Sequence, residues 1–150
     1  MTLGLQRDDV VWLGGSQRPL PAVPSLTRWY REQARTAATG IVAREAARLG
    51  VAHGPISIRD QRTRWASCSA RGALSFNWRL VLAPPDVLGY VVVHELCHVL
   101  RHDHSAAFWR LVEVACPDYR SHRAWLSRHG PELLAYRVPP TPSSSVGPPG

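Results

Sequence analysis

The chain has 150 residues, 45% of them hydrophobic and 19% charged. That is the size and balance of one ordinary folded domain, and it excludes a globally disordered chain. The longest central apolar run, Val91-Val92-Val93, falls far short of the roughly 18–20 residues of a membrane span, so no membrane partner is expected. Formal net charge is +7, and every one of the 18 basic residues is arginine. The arginines are dispersed, as the codon usage of a GC-rich genome would scatter them. Nucleic acid is therefore a partner that the charge permits and no motif indicates.

Residues 1–24 read as a Pro-punctuated N-terminal extension with one short strand expected at Val10–Leu13. They lack the basic start and apolar run of an export signal. The three cysteines, Cys68, Cys97 and Cys116, have no close spacing. A cytoplasmic protein with reduced thiols is the expectation. From Ser25, a suitable N-cap, apolar residues recur at three- and four-residue steps through Leu49, and Gly50 reads as the stop of a long helix.

The period then changes to two. Ile56 and Ile58 alternate with polar neighbours, and Arg64–Cys68 is a second candidate strand. Ser69-Ala70-Arg71-Gly72 has turn chemistry, and Leu74, Phe76, Trp78 and Leu80 mark a third strand. The last two strands are expected to pair as an antiparallel hairpin. Pro84-Pro85-Asp86 opens a strongly apolar helix. Ser105 can cap the next helix, Pro117 breaks it, and a last helix from about Asp118 is expected to end at Gly130. The tail, 137–150, is rich in Pro and Ser and too poor in apolar residues to order itself. Long helix, three strands, three helices: the fold class is α+β with a small antiparallel sheet packed on the apolar helix.

That helix carries His94-Glu95-Leu96-Cys97-His98, an HExxH string. Residues four apart share one helix face, so His94 and His98 can converge on one metal ion. Glu95 then stands beside the metal, placed to take a proton from water. Cys97 is expected to pack inward. A catalytic zinc needs a third protein ligand and one open position. His102, His104 and Glu113 are the candidates. On an unbroken helix His94 and His102 would lie about 12 Å apart along the axis, too far for one ion. His104 works if the helix ends near Leu100–His102 and the chain folds back at Asp103, a residue that tolerates the left-handed conformation. Glu113, on the following helix, is the second choice.

The stretch from Arg59 to about Gly130 resembles the YgjP-like metallopeptidases, relatives of the SprT-like proteases within the zincin group. The strings that carry the resemblance are Arg-Thr-Arg-Trp-Ala-Ser-Cys-Ser at 62–69, Leu-Ser-Phe-Asn-Trp-Arg-Leu at 74–80 and Leu-Ala-Pro-Pro-Asp at 82–86. They continue as Val-Val-Val-His-Glu-Leu-Cys-His at 91–98, Asp-His-Ser-Ala-Ala-Phe-Trp at 103–109 and Pro-Asp-Tyr-Arg at 117–120. The resemblance implies a zincin-like domain over 25–136 and one zinc per chain held by His94, His98 and His104. It further implies Glu95 as general base and an extended peptide or unfolded protein as substrate. Two positions depart from the family pattern: Ala66 stands where glycine is usual and Asp103 where asparagine is usual. Relatives carry additional N-terminal strands, so a trimmed sheet is expected.

The implied reaction is hydrolysis of a peptide held along the edge strand. Tyr119, His122 and Arg64 are candidate oxyanion stabilisers, and Trp65, Trp78, Trp109 and Trp125 are expected to be core. Cys68 could reach the open metal position if its strand passes the site. Two rival readings are a non-catalytic, zinc-stabilised module that binds DNA or protein, and a SprT-like protease acting on DNA-bound proteins.

Overall fold

A computed structural model describes residues 25–138. The strand expected at Val10–Leu13 and the tail from residue 139 onward lie outside the described residues. The chain divides into two units, one of residues 1–33 with 137–150 and one of residues 34–136. Among the described residues of the first, Ser25 caps the opening helix by accepting from the Arg28 N–H at 3.1 Å. Trp29 and Tyr30 make an edge contact there, centroids 5.3 Å apart.

Helix α1 spans Leu26–Leu49. Its buried stripe of Ala34, Ala38, Val42 and Ala46 keeps a strict four-residue step. Gly50 ends it at φ +70°, a left-handed backbone that a side chain would strain. The second unit continues with β1 (Ile56–Arg59), β2 (Ala66–Cys68), β3 (Leu74–Asn77), a 3-10 helix (Trp78–Leu82), α2 (Pro85–Leu100), α3 (Ala106–Ala115) and α4 (Tyr119–Ala135). The class is α+β. No helix among the described residues is long and apolar enough to cross a membrane.

The sheet is mixed rather than antiparallel. Its order is β1-β3-β2, with β2 antiparallel to β3 and β1 parallel to it. The hairpin expected between β2 and β3 is present, closed at Gly72 (φ +85°) by a Gly72 N–H to Ser69 O bond of 2.9 Å. The parallel pair follows from the path of residues 60–65. Asn77 ends β3, and its Nδ2 donates to Gln61 O at 2.7 Å and Arg64 O at 3.0 Å. The loop is thus pinned across the end of β3 and delivers β2 to the far edge. Alternation in sequence gives each strand its faces but carries no record of that crossing.

The third strand is also shorter than its alternation predicts. Asn77 Oδ1 accepts from the Arg79 N–H at 3.0 Å and turns the chain into the 3-10 helix. Trp78, Arg79 and Leu80 are each 1% exposed, so the alternation of apolar and polar residues no longer means in and out. Arg79 donates to Tyr136 O through Nε at 3.0 Å and to Asp60 Oδ1 at 2.7 Å, and its guanidinium lies 4.6 Å from the Trp78 ring centroid. A buried guanidinium is tolerable because these partners replace water.

Helix α2 begins at Pro85, whose missing N–H costs nothing in a first turn, with Asp86 near the positive end. It is buried nearly all round, touching β2, α3 and α4. Helix α4 does not stop at Gly130. That glycine keeps a negative φ and is buried, with the Trp65 ring 3.4 Å from where a Cβ would stand. Close packing, not termination, explains it, and Pro131 is carried inside the helix.

Candidate metal centre

His94 and His98 lie one turn apart on α2, and their ring centroids are 4.9 Å apart. The helix ends at Arg101, whose backbone is extended (φ −150°, ψ 113°) and whose N–H donates to Cys97 O at 2.9 Å. The chain then folds back to α3. No non-glycine residue among those described has positive φ, so the left-handed turn expected at Asp103 is not used. Instead Asp103 Oδ1 accepts from the Ser105 N–H at 3.2 Å and the Ser105 hydroxyl at 2.7 Å, and it pairs with Arg101 Nε at 3.3 Å. Those Ser105 bonds hold the exposed Asp103 carboxyl below its ordinary range. The departure from asparagine is thus spent on the loop. Ser105 in turn caps α3, accepting from the Phe108 N–H at 3.3 Å.

This reversal brings His104 to the other two imidazoles. One ring nitrogen from each of His94, His98 and His104 lies within 4.8 Å of the others, and such a trio can hold a metal ion. His98 Nδ1 faces the Arg101 carbonyl at 2.9 Å. A carbonyl only accepts, so Nδ1 carries the proton and Nε2 is left with its lone pair. That Nε2 lies 3.1 Å from His104 Nε2. Two nitrogens at about 2.1 Å from a tetrahedral ion would be about 3.4 Å apart. The donor set and its spacing fit such an ion. His94 Nδ1 meets the Tyr90 hydroxyl at 3.3 Å, the same outer support on the second ring.

The rings are walled by aromatics. Phe108 stacks on His98 at 4.2 Å and meets His94 and His104 edge-on. Trp109 lies 5.6 Å from His94 and 6.2 Å from His104, so it lines the imidazole cluster, unlike Trp78, which is core as expected. Burial and the neighbouring imidazoles hold His94 down to about 3, and burial lowers His98. Both rings are therefore neutral donors at ordinary pH. Tyr90, Phe108 and Trp109 are site residues that periodicity assigns to the core. Their signal is position: Tyr90 precedes His94 by four residues, and Phe108 follows His104 by four.

A cavity of about 270 Å³ opens in front of the cluster, lined by the three histidines, Glu95, Arg64, His102 and residues 66–68 of β2. Glu95 is 6% exposed and accepts no hydrogen bond from any described residue. Burial pushes its carboxyl up to about 7, against the pull of Arg64. His102 donates to Ser69 O at 3.2 Å at the rim. Glu113 stands away from the cluster beside Arg120, 3.9 Å off. Cys68 lines the cavity, but burial and the Glu95 charge raise its thiol to about 11, so it is the protonated thiol that faces the site. Cys97 is buried, 2% exposed. Of the three residues considered for oxyanion stabilisation, Arg64 alone lines the cavity; Tyr119 stacks on Trp109 and His122 on Tyr90. A larger hollow of about 550 Å³ at the end of α1 is lined mostly by alanines and offers a single histidine, His53.

No curated protein matches the chain. Among solved structures, the crystal structure of the metallopeptidase zymogen of Pyrococcus abyssi abylysin aligns at a TM-score of 0.50 and 20% identity, covering 61% of this chain and 93% of that one. The metallopeptidase zymogen of Methanocaldococcus jannaschii jannalysin aligns at 0.49 and 20%, covering 59% and 94%. At that identity the first likeness speaks for the fold alone. The YgjP-like metallopeptidase domain model matches residues 14–129. With that match over most of its length, the chain belongs to the YgjP-like metallopeptidase family.

Proposed function

We propose that the protein is a zinc-dependent metallopeptidase that hydrolyses peptide bonds in extended or unfolded chains. One zinc would be held by His94, His98 and His104, with Glu95 as general base. The observation that carries this reading is a single cavity in which three imidazoles converge beside a buried carboxyl that has no hydrogen-bond partner among the described residues. A structural metal site has no use for such a carboxyl. Membership of a metallopeptidase family supports the same reading.

When bound, zinc supplies Lewis-acid activation of water and of the scissile carbonyl. Glu95 takes the proton of the attacking water on a carboxylate oxygen and gives it to the leaving amine. The Arg101 carbonyl keeps the His98 imidazole in the orientation that leaves Nε2 free, and the Tyr90 hydroxyl would do the same for His94 by accepting from Nδ1–H. Strand β2, at the edge of the sheet and on the cavity wall, takes the peptide as an added strand.

The test is metal content and hydrolysis measured together. Purified protein should carry about one zinc, as the three-ligand catalytic pattern requires. Glu95→Gln should keep the metal and lose hydrolysis of an unfolded protein by about 10²–10⁴-fold. Zinc-free protein that still hydrolyses, or full activity in Glu95→Gln, would sink the reading.

A further inference from the structure

A second hollow lies on the other face of the sheet. Register places Ser57, Ser75 and Ser67 in one row across the three strands. Period two puts Arg59 on the same face of β1 as Ser57. Ser75 is 8% exposed, and its hydroxyl lies 2.7 Å from that of Ser67. Two hydroxyls sharing one bond leave one O–H free to donate outward. These residues, with Arg64 and the hairpin turn, enclose about 290 Å³.

The lining carries two guanidinium groups and no carboxylate. Arg59 and Arg64 are exposed, and the guanidinium of neither has a hydrogen bond or ion pair with any described residue. The other arginines that anchor loops here are committed: Arg79 to Asp60, Arg101 to Asp103. Arg64 is also held in place from behind, since Asn77 Nδ2 donates to its carbonyl at 3.0 Å and the Asn77 N–H donates to Trp65 O at 2.8 Å. Arg64, Ser67 and Cys68 line both this hollow and the metal cavity, so the two adjoin around β2. A peptide added along β2 sends alternate side chains to the two faces of the sheet.

We propose that this hollow is a specificity subsite, in which Arg59, Arg64 and the Ser67–Ser75 hydroxyl pair take a carboxylate side chain of the bound peptide, so that acidic chains are preferred. The inference rests on the metallopeptidase reading above. Guanidinium and hydroxyl donors suit carboxylate and phosphate alike. Contiguity with the peptide cleft favours the peptide's own carboxylate.

The experiment uses the full chain, zinc-loaded, as Glu95→Gln, so that bound peptide persists. Affinity is measured by fluorescence anisotropy for an extended peptide carrying one Glu and for the same peptide with Gln there, moving the residue along the peptide. The acidic peptide should bind about five- to tenfold tighter at its best position, less so at high salt. Arg59→Gln with Arg64→Gln should bring the ratio to one, and Arg59→Glu should favour a Lys peptide. A general loss of folding could bring the ratio to one but cannot reverse it, so the Lys preference of Arg59→Glu is the outcome that folding does not imitate. Equal affinities for the two peptides overturn the subsite, as does a preference that survives the double variant. So does capture of inorganic phosphate or an oligonucleotide at these arginines without acidic-peptide preference. Wild-type cleavage of a neutral unfolded chain separates the two failures. Cleavage without acid preference removes the subsite and leaves the peptidase, whereas no cleavage of any chain removes both.

Discussion

Two buried polar clusters flank β3 and β2, and they are built on opposite principles. Around Arg79, polar groups find protein partners: Asp60, Tyr136 O and Gln61 O accept from the guanidinium, and Asn77 pins the loop beside it. Around Glu95, the carboxyl does not. It is buried without a hydrogen bond to any described residue, and the Nε2 atoms of His98 and His104 face each other at 3.1 Å. A network that closes on itself holds a fold together. One that leaves lone pairs and a carboxyl open holds capacity in reserve for something that arrives later. The first cluster should therefore supply stability and the second should cost it.

Substitution should separate the clusters by sign. Arg79→Met should destabilise the protein by about 3–5 kcal/mol, because it removes the guanidinium that donates to Asp60 Oδ1, Tyr136 O and Gln61 O and takes away the cation paired with Asp60. Denaturant unfolding would measure it, and zinc affinity should barely change. A loss below 1 kcal/mol would remove the contrast.

Glu95→Gln should do the reverse in the metal-free protein. The folded-state carboxyl is raised by burial to about 7 from a usual 4.5. Its contribution is therefore intact below pH 4.5 and is lost as pH rises through 7. Glutamine, which cannot ionise, should gain on the order of 2–3 kcal/mol at pH 8 and almost nothing at pH 4.5. Unfolding curves of chelated protein at the two pH values would show it. A gain that is equal at both would locate the cost elsewhere.

The smallest effect sharpens the boundary. Tyr90→Phe removes only the hydroxyl that meets His94 Nδ1. Zinc affinity should fall about tenfold, the low end for an outer-shell partner, with stability changed by about 1 kcal/mol or less. Competition against a chromogenic chelator would read the affinity. An unchanged value would make Tyr90 a packing residue only.

Legibility follows the range of the interaction. His94 and His98 share a face because the helix repeats every 3.6 residues, and this was readable in the string itself. The caps at Ser25 and Ser105 and the stop at Gly50 are equally local. The parallel placement of β1, the end of β3 at Asn77 and the passage of α4 through Gly130 all depend on partners far along the chain. Trp65 reaches Gly130, and Asn77 reaches Gln61 and Arg64. No window of sequence contains both members of those pairs.

The sequence by itself therefore determined the α+β class, the long helices and the one-sided pairing of His94 with His98, since each rests on residues within a few positions of one another. It also carried the strings by which the family is legible. Only the tertiary structure decided that the sheet is mixed, that Arg79 is buried, that Glu113 stands apart from the imidazoles, and that Arg59 and Arg64 share a serine-lined hollow. Those outcomes are set by which distant groups can satisfy a buried charge or hydrogen bond, and that is settled when the chain packs.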